Sequence, residues 1–153
     1  MNLPRRLNLS VQYQVSQVSD PALPTRQQVR RWIRAVEPGA AQIAVRFVDA
    51  DEGRTLNRDY RGKDYATNVL SFPYEVEPML MGDLVLCWPV LLAEAAEQGR
   101  TVEQHAAHLV VHGTLHLQGY DHENEAEAVE METIEREILL GLDYPDPYAG
   151  EER

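Results

Sequence analysis

Short segments of this chain alternate apolar and polar residues, which is the pattern expected of half-buried β-strands. The first such segment places Leu9, Val11 and Tyr13 at every second position. A later one ends at Pro73, which suits the edge of a sheet because proline cannot donate to a neighbouring strand. The pattern predicts four strands, at residues 8–15, 41–48, 67–72 and 84–87.

Apolar residues also recur at helical spacing, as Met131, Ile134 and Ile138 do near the C-terminus. Thr101, followed three residues later by Gln104, has the sequence pattern of a capping box at a helix start. Five helices are predicted, at residues 24–36, 51–60, 89–98, 101–118 and 124–140. We expect a loop or mobile flap at residues 74–81, an extended tail at residues 143–148 and a frayed end beyond it.

The order of these elements predicts an α+β fold with a four-stranded mixed sheet covered by about five helices. The 153 residues fit a single domain over residues 1–153. Its C-terminal part, residues 124–153, reads as an acidic helix and an extended tail.

The composition favours a cytoplasmic protein. A single cysteine excludes an internal disulfide framework and suits a reducing compartment. Residues 1–14 lack the apolar run of a signal peptide, and no stretch approaches the roughly 20 apolar residues of a membrane span.

The net charge of −11 argues against a broad surface for nucleic acid. The acidity is local, however, because residues 121–153 hold 12 acidic and 2 basic residues, a net charge of −10. A phosphate site elsewhere in the chain therefore stays possible if it is local. Arg54, Arg58 and Arg61 share one face of the second helix, followed by Lys63, and form either a phosphate clamp or a solvated helix face.

The most specific pattern is the run of His112, His116, Gly119 and His122. Histidines four residues apart lie on one face of a helix, and a glycine that ends the helix can turn the chain to bring the third histidine back. Three imidazoles favour zinc among the metals that imidazole binds, and three protein ligands leave one position open, as in catalytic sites. Cys87, the only thiol that could close the site, lies in an apolar run.

Neighbouring residues offer weaker signals. Zinc peptidases with this spacing carry a glutamate directly after the first histidine, where this chain has Gly113. We interpret His108, and His105 before it, as support for the ligands or as packing. Asp121 either orients a histidine and shapes the turn or relays a proton, and Asp83 is interpreted as structural.

The segment from His112 to His122 resembles the YbeY family of bacterial rRNA maturation factors, which are single-metal, zinc-dependent endoribonucleases. The resemblance extends to residues 56–73 and 82–84. It implies that the three histidines bind zinc, with His112 among the catalytic groups, and that Arg61 is functional. It also implies single-stranded RNA as substrate, 16S rRNA 3′-end maturation and ribosome quality control as the setting, and the ribosome or its proteins as partners.

From the residues, we expect Arg61, with Lys63, Arg54 and Arg58 as further candidates, to bind the scissile phosphate beside a Zn2+ ion. Two alternatives stay open at this point. One is a peptidase-like hydrolase, which the histidine spacing and a predicted edge strand favour and the missing glutamate disfavours. The other is a non-enzymatic ribosome-assembly factor whose metal is structural. The spacing also makes the helix that carries His112 similar to the metal helix of zincins.

Overall fold

The computed structural model describes residues 6–149. Residues 1–5 and 150–153 lie outside the described part, so the frayed end predicted beyond residue 148 falls almost entirely outside it. The elements are β1 (Leu7–Gln14), α1 (Arg26–Val36), β2 (Ala41–Val48), α2 (Ala50–Arg61), β3 (Val69–Glu75), β4 (Leu80–Cys87), α3 (Trp88–Gln98), α4 (Val102–Leu117) and α5 (Glu125–Gly141).

The four strands form one mixed sheet in the order β1-β2-β4-β3. Strands β1, β2 and β4 are parallel, and β3 pairs antiparallel with β4 at the edge of the sheet. These elements confirm the predicted α+β class with a four-stranded mixed sheet and five helices, and they confirm β3 as an edge strand.

The main core lies between the sheet and helices α1, α3, α4 and α5. Ile43, Val45 and Phe47 of β2 are fully buried, as the alternation of β2 predicted, and Trp32 and Ile33 of α1 are buried in the same core. A smaller cluster of Val48, Leu70 and Val85 packs with Leu56 of α2. The two clusters fix helices on both sides of the sheet.

Helix α4 is the most deeply buried helix among the described residues. Its start has the predicted capping box, in which the Thr101 side chain accepts from the Gln104 backbone and the Gln104 side chain accepts from the Thr101 backbone. Helix α5 packs on α4 through Met131 and Leu139. Because α4 is held on several sides, it forms a rigid platform for side chains near its C-terminal end.

Two predictions of local structure were wrong, the loop at residues 74–81 and the extended tail at residues 143–148. The loop or flap expected at residues 74–81 is instead the tip of a β-hairpin, since β3 continues through Pro73 to Glu75 and β4 starts at Leu80. Pro73 is tolerated in β3 because that strand is at the edge, and the register shifts immediately after it. The remaining turn is short.

The tail after α5 is not simply extended, because it packs back on the domain. The Tyr144 hydroxyl accepts a hydrogen bond from Trp32 Nε1 (3.0 Å) and donates one to Glu103 (2.8 Å). Arg136 pairs with Asp146 at 2.8 Å. Residues 147–149 form a turn that brings Tyr148 next to α4 and α5.

Within residues 6–149, none of the helices combines the length and the apolar character needed to cross a membrane.

Candidate metal centre

Helix α4 and the turn after it bring three histidines together. His112 and His116 lie one helical turn apart, and their Nε2 atoms are 3.1 Å from each other. Gly119 adopts a left-handed conformation with φ of 104°, and the Tyr120 amide closes the turn on the Leu115 carbonyl at 3.1 Å. The turn returns His122 to the same place, so that one nitrogen of each histidine lies within 4.8 Å of the others.

This donor set fits a zinc ion. Zinc–nitrogen bonds of about 2.0–2.1 Å at tetrahedral angles place ligand nitrogens about 3.3 Å apart, close to the separation of His112 and His116. Among the described residues, no fourth histidine, cysteine or carboxylate joins the cluster. Cys87 is buried in β4, away from the cluster, and burial raises the pKa of its thiol. The triad therefore has the composition of an open, catalytic type of site rather than a closed structural one.

The imidazole of His116 is held neutral. Burial, together with the nearby His112 and His122, lowers the pKa of His116 to about 4. A neutral imidazole has a free lone pair at neutral pH, as metal binding requires.

Glu135 of α5 is a site residue that the sequence analysis missed. Its side chain is fully buried and accepts a hydrogen bond from His112 Nδ1 at 2.5 Å. Burial alone would raise the pKa of Glu135, but hydrogen bonds from His108 and His112 lower it to about 2. Because the Nδ1 proton of His112 is engaged by Glu135, its Nε2 faces the other histidines as an acceptor.

The signal for Glu135 was present in the sequence but ambiguous. The residue lies four positions after Met131 and four before Leu139, on the apolar face of α5. A carboxylate at a core position requires a partner, and that requirement would have marked Glu135 as unusual. The identity of the partner depends on how α5 packs on α4.

His108 lies next to the pair formed by Glu135 and His112, on the side of Tyr148. Its Nε2 is 3.2 Å from the Tyr148 hydroxyl and 3.6 Å from Glu135, and its Nδ1 is 3.3 Å from Arg100. The Tyr148 hydroxyl also donates a hydrogen bond to Glu135. These contacts connect the C-terminal turn to the carboxylate that orients His112. His105, in the first turn of α4, instead contacts Glu94 at 2.8 Å.

The triad opens into a cavity of about 700 Å³. One part of its lining comes from the end of α2 and from residues 67–73, and the other from α4 and residues 119–122. Arg61 is part of this lining and has no ion-pair partner among the described residues. A guanidinium with free donors beside a metal triad is suited to binding an anionic group.

The other predicted phosphate-binding residues are placed differently. Arg54 makes a two-point contact with Asp64 at 2.7 and 2.9 Å, and Arg58 lies 3.3 Å from Asp59. None of Arg54, Arg58 and Lys63 belongs to the lining of the cavity, although all three are exposed. The structure therefore brings Arg61 alone of these four residues to the triad.

Asp121 lines the cavity and shapes the turn. Its Oδ1 accepts a hydrogen bond from the His122 backbone at 2.7 Å, and this hydrogen bond lowers the pKa of Asp121. Asp83 of β4 accepts a hydrogen bond from the Tyr74 hydroxyl at 2.6 Å across the hairpin. These contacts support a structural role for each aspartate: Asp121 shapes the turn before His122, and Asp83 joins the two strands of the hairpin.

Gly113 lies where the zinc peptidases carry their glutamate, and it faces the sheet closely. A Cβ atom there would lie 2.9 Å from Leu84 Cδ2 and 3.3 Å from Ser71 Oγ. Ser71 also donates a hydrogen bond to the Gly113 carbonyl at 3.2 Å. A glutamate cannot be accommodated at this position unless the fully buried Leu84 moves, so the packing disfavours peptidase chemistry of that type.

Comparisons with known proteins agree with this geometry. The sequence model of the family described as Endoribonuclease YbeY matches residues 11–143. A protein of Methylibium petroleiphilum named Endoribonuclease YbeY is 56% identical over 149 residues, 97% of this chain and 100% of that protein. A protein of the same name from Aromatoleum aromaticum is 56% identical over 94% of each chain.

A solved structure is similar as well. The solution structure of a Thermotoga maritima protein superposes with a TM-score of 0.56 at 26% identity, and the match covers 95% of this chain and 99% of that one. The family match spans most of the chain and includes Arg61 and the three histidines. The chain therefore belongs to the Endoribonuclease YbeY family.

Proposed function

We propose that this protein is a zinc-dependent endoribonuclease that cleaves phosphodiester bonds in RNA. The observation that carries the proposal is the single cavity that contains the His112, His116 and His122 triad together with Arg61. Relatives that are more than 50% identical over nearly the whole chain bear the name Endoribonuclease YbeY. Three imidazole nitrogens suit zinc, as they also suit copper, iron and nickel, and the family resemblance favours zinc among these metals.

The three histidines would hold the ion, with Glu135 fixing the orientation of His112. A zinc ion bound by them would supply a water whose pKa is lowered to about 7 and a Lewis acid for a phosphoryl oxygen. Since this water needs no strong neighbouring base, the absence of a glutamate at position 113 is compatible with the reaction.

Arg61 would bind the scissile phosphate and balance the negative charge that develops on its oxygens. Its planar guanidinium can contact two phosphate oxygens at once, and no acidic side chain of the described residues neutralises it. Asp121 would hold the turn that carries His122, through its hydrogen bond to the His122 backbone. Both hydrolysis by water and attack by the 2′-hydroxyl of the substrate fit these roles, and the end groups of the products distinguish them.

The biological setting of the proposal rests on the family resemblance. We infer that the substrate is single-stranded RNA in the precursor of 16S rRNA, and that the enzyme acts in 3′-end maturation and ribosome quality control in the cytoplasm. The ribosome or its proteins would then be partners.

Substitution of a metal ligand tests the central assignment. We expect His116→Ala to lose bound zinc and to cleave unstructured RNA no faster than wild-type protein treated with chelator, while circular dichroism stays that of a folded protein. RNA cleavage at the wild-type rate by zinc-free His116→Ala would contradict the proposal. Casein as a substrate, with and without chelator, tests the peptidase alternative in the same assay.

Substitution of Arg61 tests the phosphate site. We expect Arg61→Glu to keep its zinc and to lose about 100-fold or more in RNA cleavage, as when a transition-state donor is removed. Arg58→Glu, on the same helix but outside the cavity, is the matched control and should cleave at close to the wild-type rate. Equal losses in the two variants would show a general effect of charge and remove the special role of Arg61.

A further inference from the structure

Two of the four exposed tyrosines of this protein lie in the lining of the metal cavity. All seven tyrosines fall within residues 6–149, and the exposed ones are at positions 60, 65, 74 and 120. Tyr60 and Tyr120 line the cavity itself, whereas Tyr65 and Tyr74 do not. Exposed aromatic rings in such a cavity can stack against a ligand that has a flat face.

Tyr60 is held in place although most of it is exposed. It lies in the last turn of α2, directly before Arg61, and 69% of the residue is accessible to solvent. Its ring packs edge-to-face against Phe72 of β3, with 5.2 Å between ring centroids and an interplanar angle of 69°. Phe72 is also part of the cavity lining. The contact with Phe72 reduces the freedom of the Tyr60 ring before any ligand binds.

Tyr120 comes from the other part of the lining. It directly follows Gly119 in the turn that carries His122, and 37% of the residue is exposed. Its amide donates to the Leu115 carbonyl at 3.1 Å, which fixes the backbone at this point. The metal triad and Arg61 share one cavity with these two rings.

We propose that Tyr60 and Tyr120 are stacking platforms for unpaired nucleobases of the RNA that the metal site cleaves. This inference rests on the proposed function and deepens it. Arg61 is next to Tyr60 in sequence, so that a phosphate on Arg61 and a base on Tyr60 can belong to one nucleotide or to neighbouring nucleotides. Every base has a face that can stack on an aromatic ring, but only when it is free of a duplex. The two tyrosines therefore provide a physical reason for a preference for single strands.

The few charges around the cavity favour binding of a nucleic acid through local contacts rather than through a broad, positively charged surface. Of the lining residues, Arg61 carries a guanidinium and Asp121 carries a carboxylate. The Oδ1 atom of Asp121 accepts a hydrogen bond from the His122 backbone. With few phosphate contacts available, stacking would supply a substantial share of the affinity. We accordingly expect binding to depend on the bases more than on the length of the phosphate chain.

The test measures binding separately from cleavage. The probe is a fluorescein-labelled 2′-O-methyl RNA of mixed sequence, titrated with zinc-loaded full-length protein by fluorescence anisotropy and checked afterwards for integrity. A second probe of the same length has abasic sites in its central positions. The variants are Tyr60→Leu, which keeps an apolar contact with Phe72, Tyr120→Ala, and the conservative Tyr60→Phe and Tyr120→Phe.

Removing a stacked ring should weaken binding of the base-containing probe by about 5- to 150-fold for each base, the range reported for base–aromatic stacking. Both phenylalanine variants should bind like the wild type, and none of the variants should bind the abasic probe more weakly than the wild type does. Tyr65→Ala, an exposed tyrosine outside the cavity, is the matched control and should bind both probes normally. Thermal melting of each variant verifies folding.

The proposal is overturned if wild-type protein does not distinguish the two probes, or if the Tyr60 and Tyr120 variants bind the base-containing probe normally. It is also overturned if an extended peptide displaces the probe and the loss of the rings affects only the peptide. Failure of the proposed function is a separate result, because it would appear as absent cleavage of RNA while the stacking variants still lose binding.

Discussion

At the scale of single residues, Glu135 explains how the histidine triad is oriented. The three histidines could be predicted from spacing alone, since four residues make one helical turn and Gly119 permits the return of the chain. The carboxylate behind His112 could not, because it comes from another helix, 23 residues away. A buried carboxylate that accepts from Nδ1 fixes both the tautomer and the direction of the metal-binding nitrogen.

Glu135→Gln is expected to lower zinc affinity by about 10-fold or more, the usual effect of altering a group that orients a ligand. The amide keeps the size of the carboxylate but lacks its charge, so it holds the Nδ1 proton of His112 less strongly. Competition against a chromophoric chelator measures the affinity. Glu137→Gln, at an exposed position of the same helix, is the control. Identical zinc affinity in the two variants would contradict the orienting role of Glu135.

The arginines show a second limit of reasoning from residues alone. Helical spacing correctly placed Arg54, Arg58 and Arg61 on α2, but it did not reveal which of them is neutralised. Asp64, beyond the left-handed Gly62 that ends α2, engages Arg54. Which of the three arginines forms an ion pair depends on the path of the chain after the helix, and residue spacing does not specify that path.

At the scale of elements, the site depends on how closely α4 approaches the sheet. Glycines make this approach possible on both surfaces, Gly113 on α4 and Gly82 on β4. A Cβ atom at Gly82 would lie 2.6 Å from Leu117 Cδ2 and 3.0 Å from the Phe72 carbonyl oxygen. Leu117 directly follows His116, so the same contact seats the ligand-bearing end of α4.

Gly82→Ala is expected to destabilise the protein by about 1–3 kcal/mol, the usual cost of overpacking a core. The Phe72 carbonyl belongs to the backbone of β3 and cannot rotate out of the way as a side chain could. Urea unfolding at equilibrium measures the change in the free energy of unfolding. Gly141→Ala, where no atom lies within 4 Å of the added carbon, should keep the wild-type stability or exceed it. A Gly82→Ala protein as stable as the wild type would show that α4 does not pack this tightly.

Most elements could be predicted from periodicity, but the hairpin of β3 and β4 could not. Pro73 is normally a sign that a strand has ended, and the sequence analysis therefore predicts a loop or flap over residues 74–81. Strand β3 continues because its outer edge has no neighbouring strand that needs the missing amide of Pro73. Only the position of the strand in the sheet decides this, and that position is a property of the whole fold.

At the scale of the whole molecule, most of the net negative charge lies C-terminal to Arg61 and the exposed tyrosines, in a segment that also contains His122. The net charge of −10 over residues 121–153 belongs mainly to α5 and the tail, while Arg61 and the exposed tyrosines precede them or lie at their very start. The tail is nevertheless part of the site's support, because Tyr148 contacts both Glu135 and His108. The acidic segment therefore also supplies Glu135 and Tyr148, whose contacts support His112 and His108.

The most direct test of the central claim is a zinc titration of metal-free protein, with zinc content and RNA cleavage measured on the same samples. We expect no cleavage without metal, and a rate that rises in proportion to bound zinc until one ion is bound per chain. His116→Ala should show no such rise. Metal-free protein that cleaves RNA as fast as the zinc-loaded form would contradict the account.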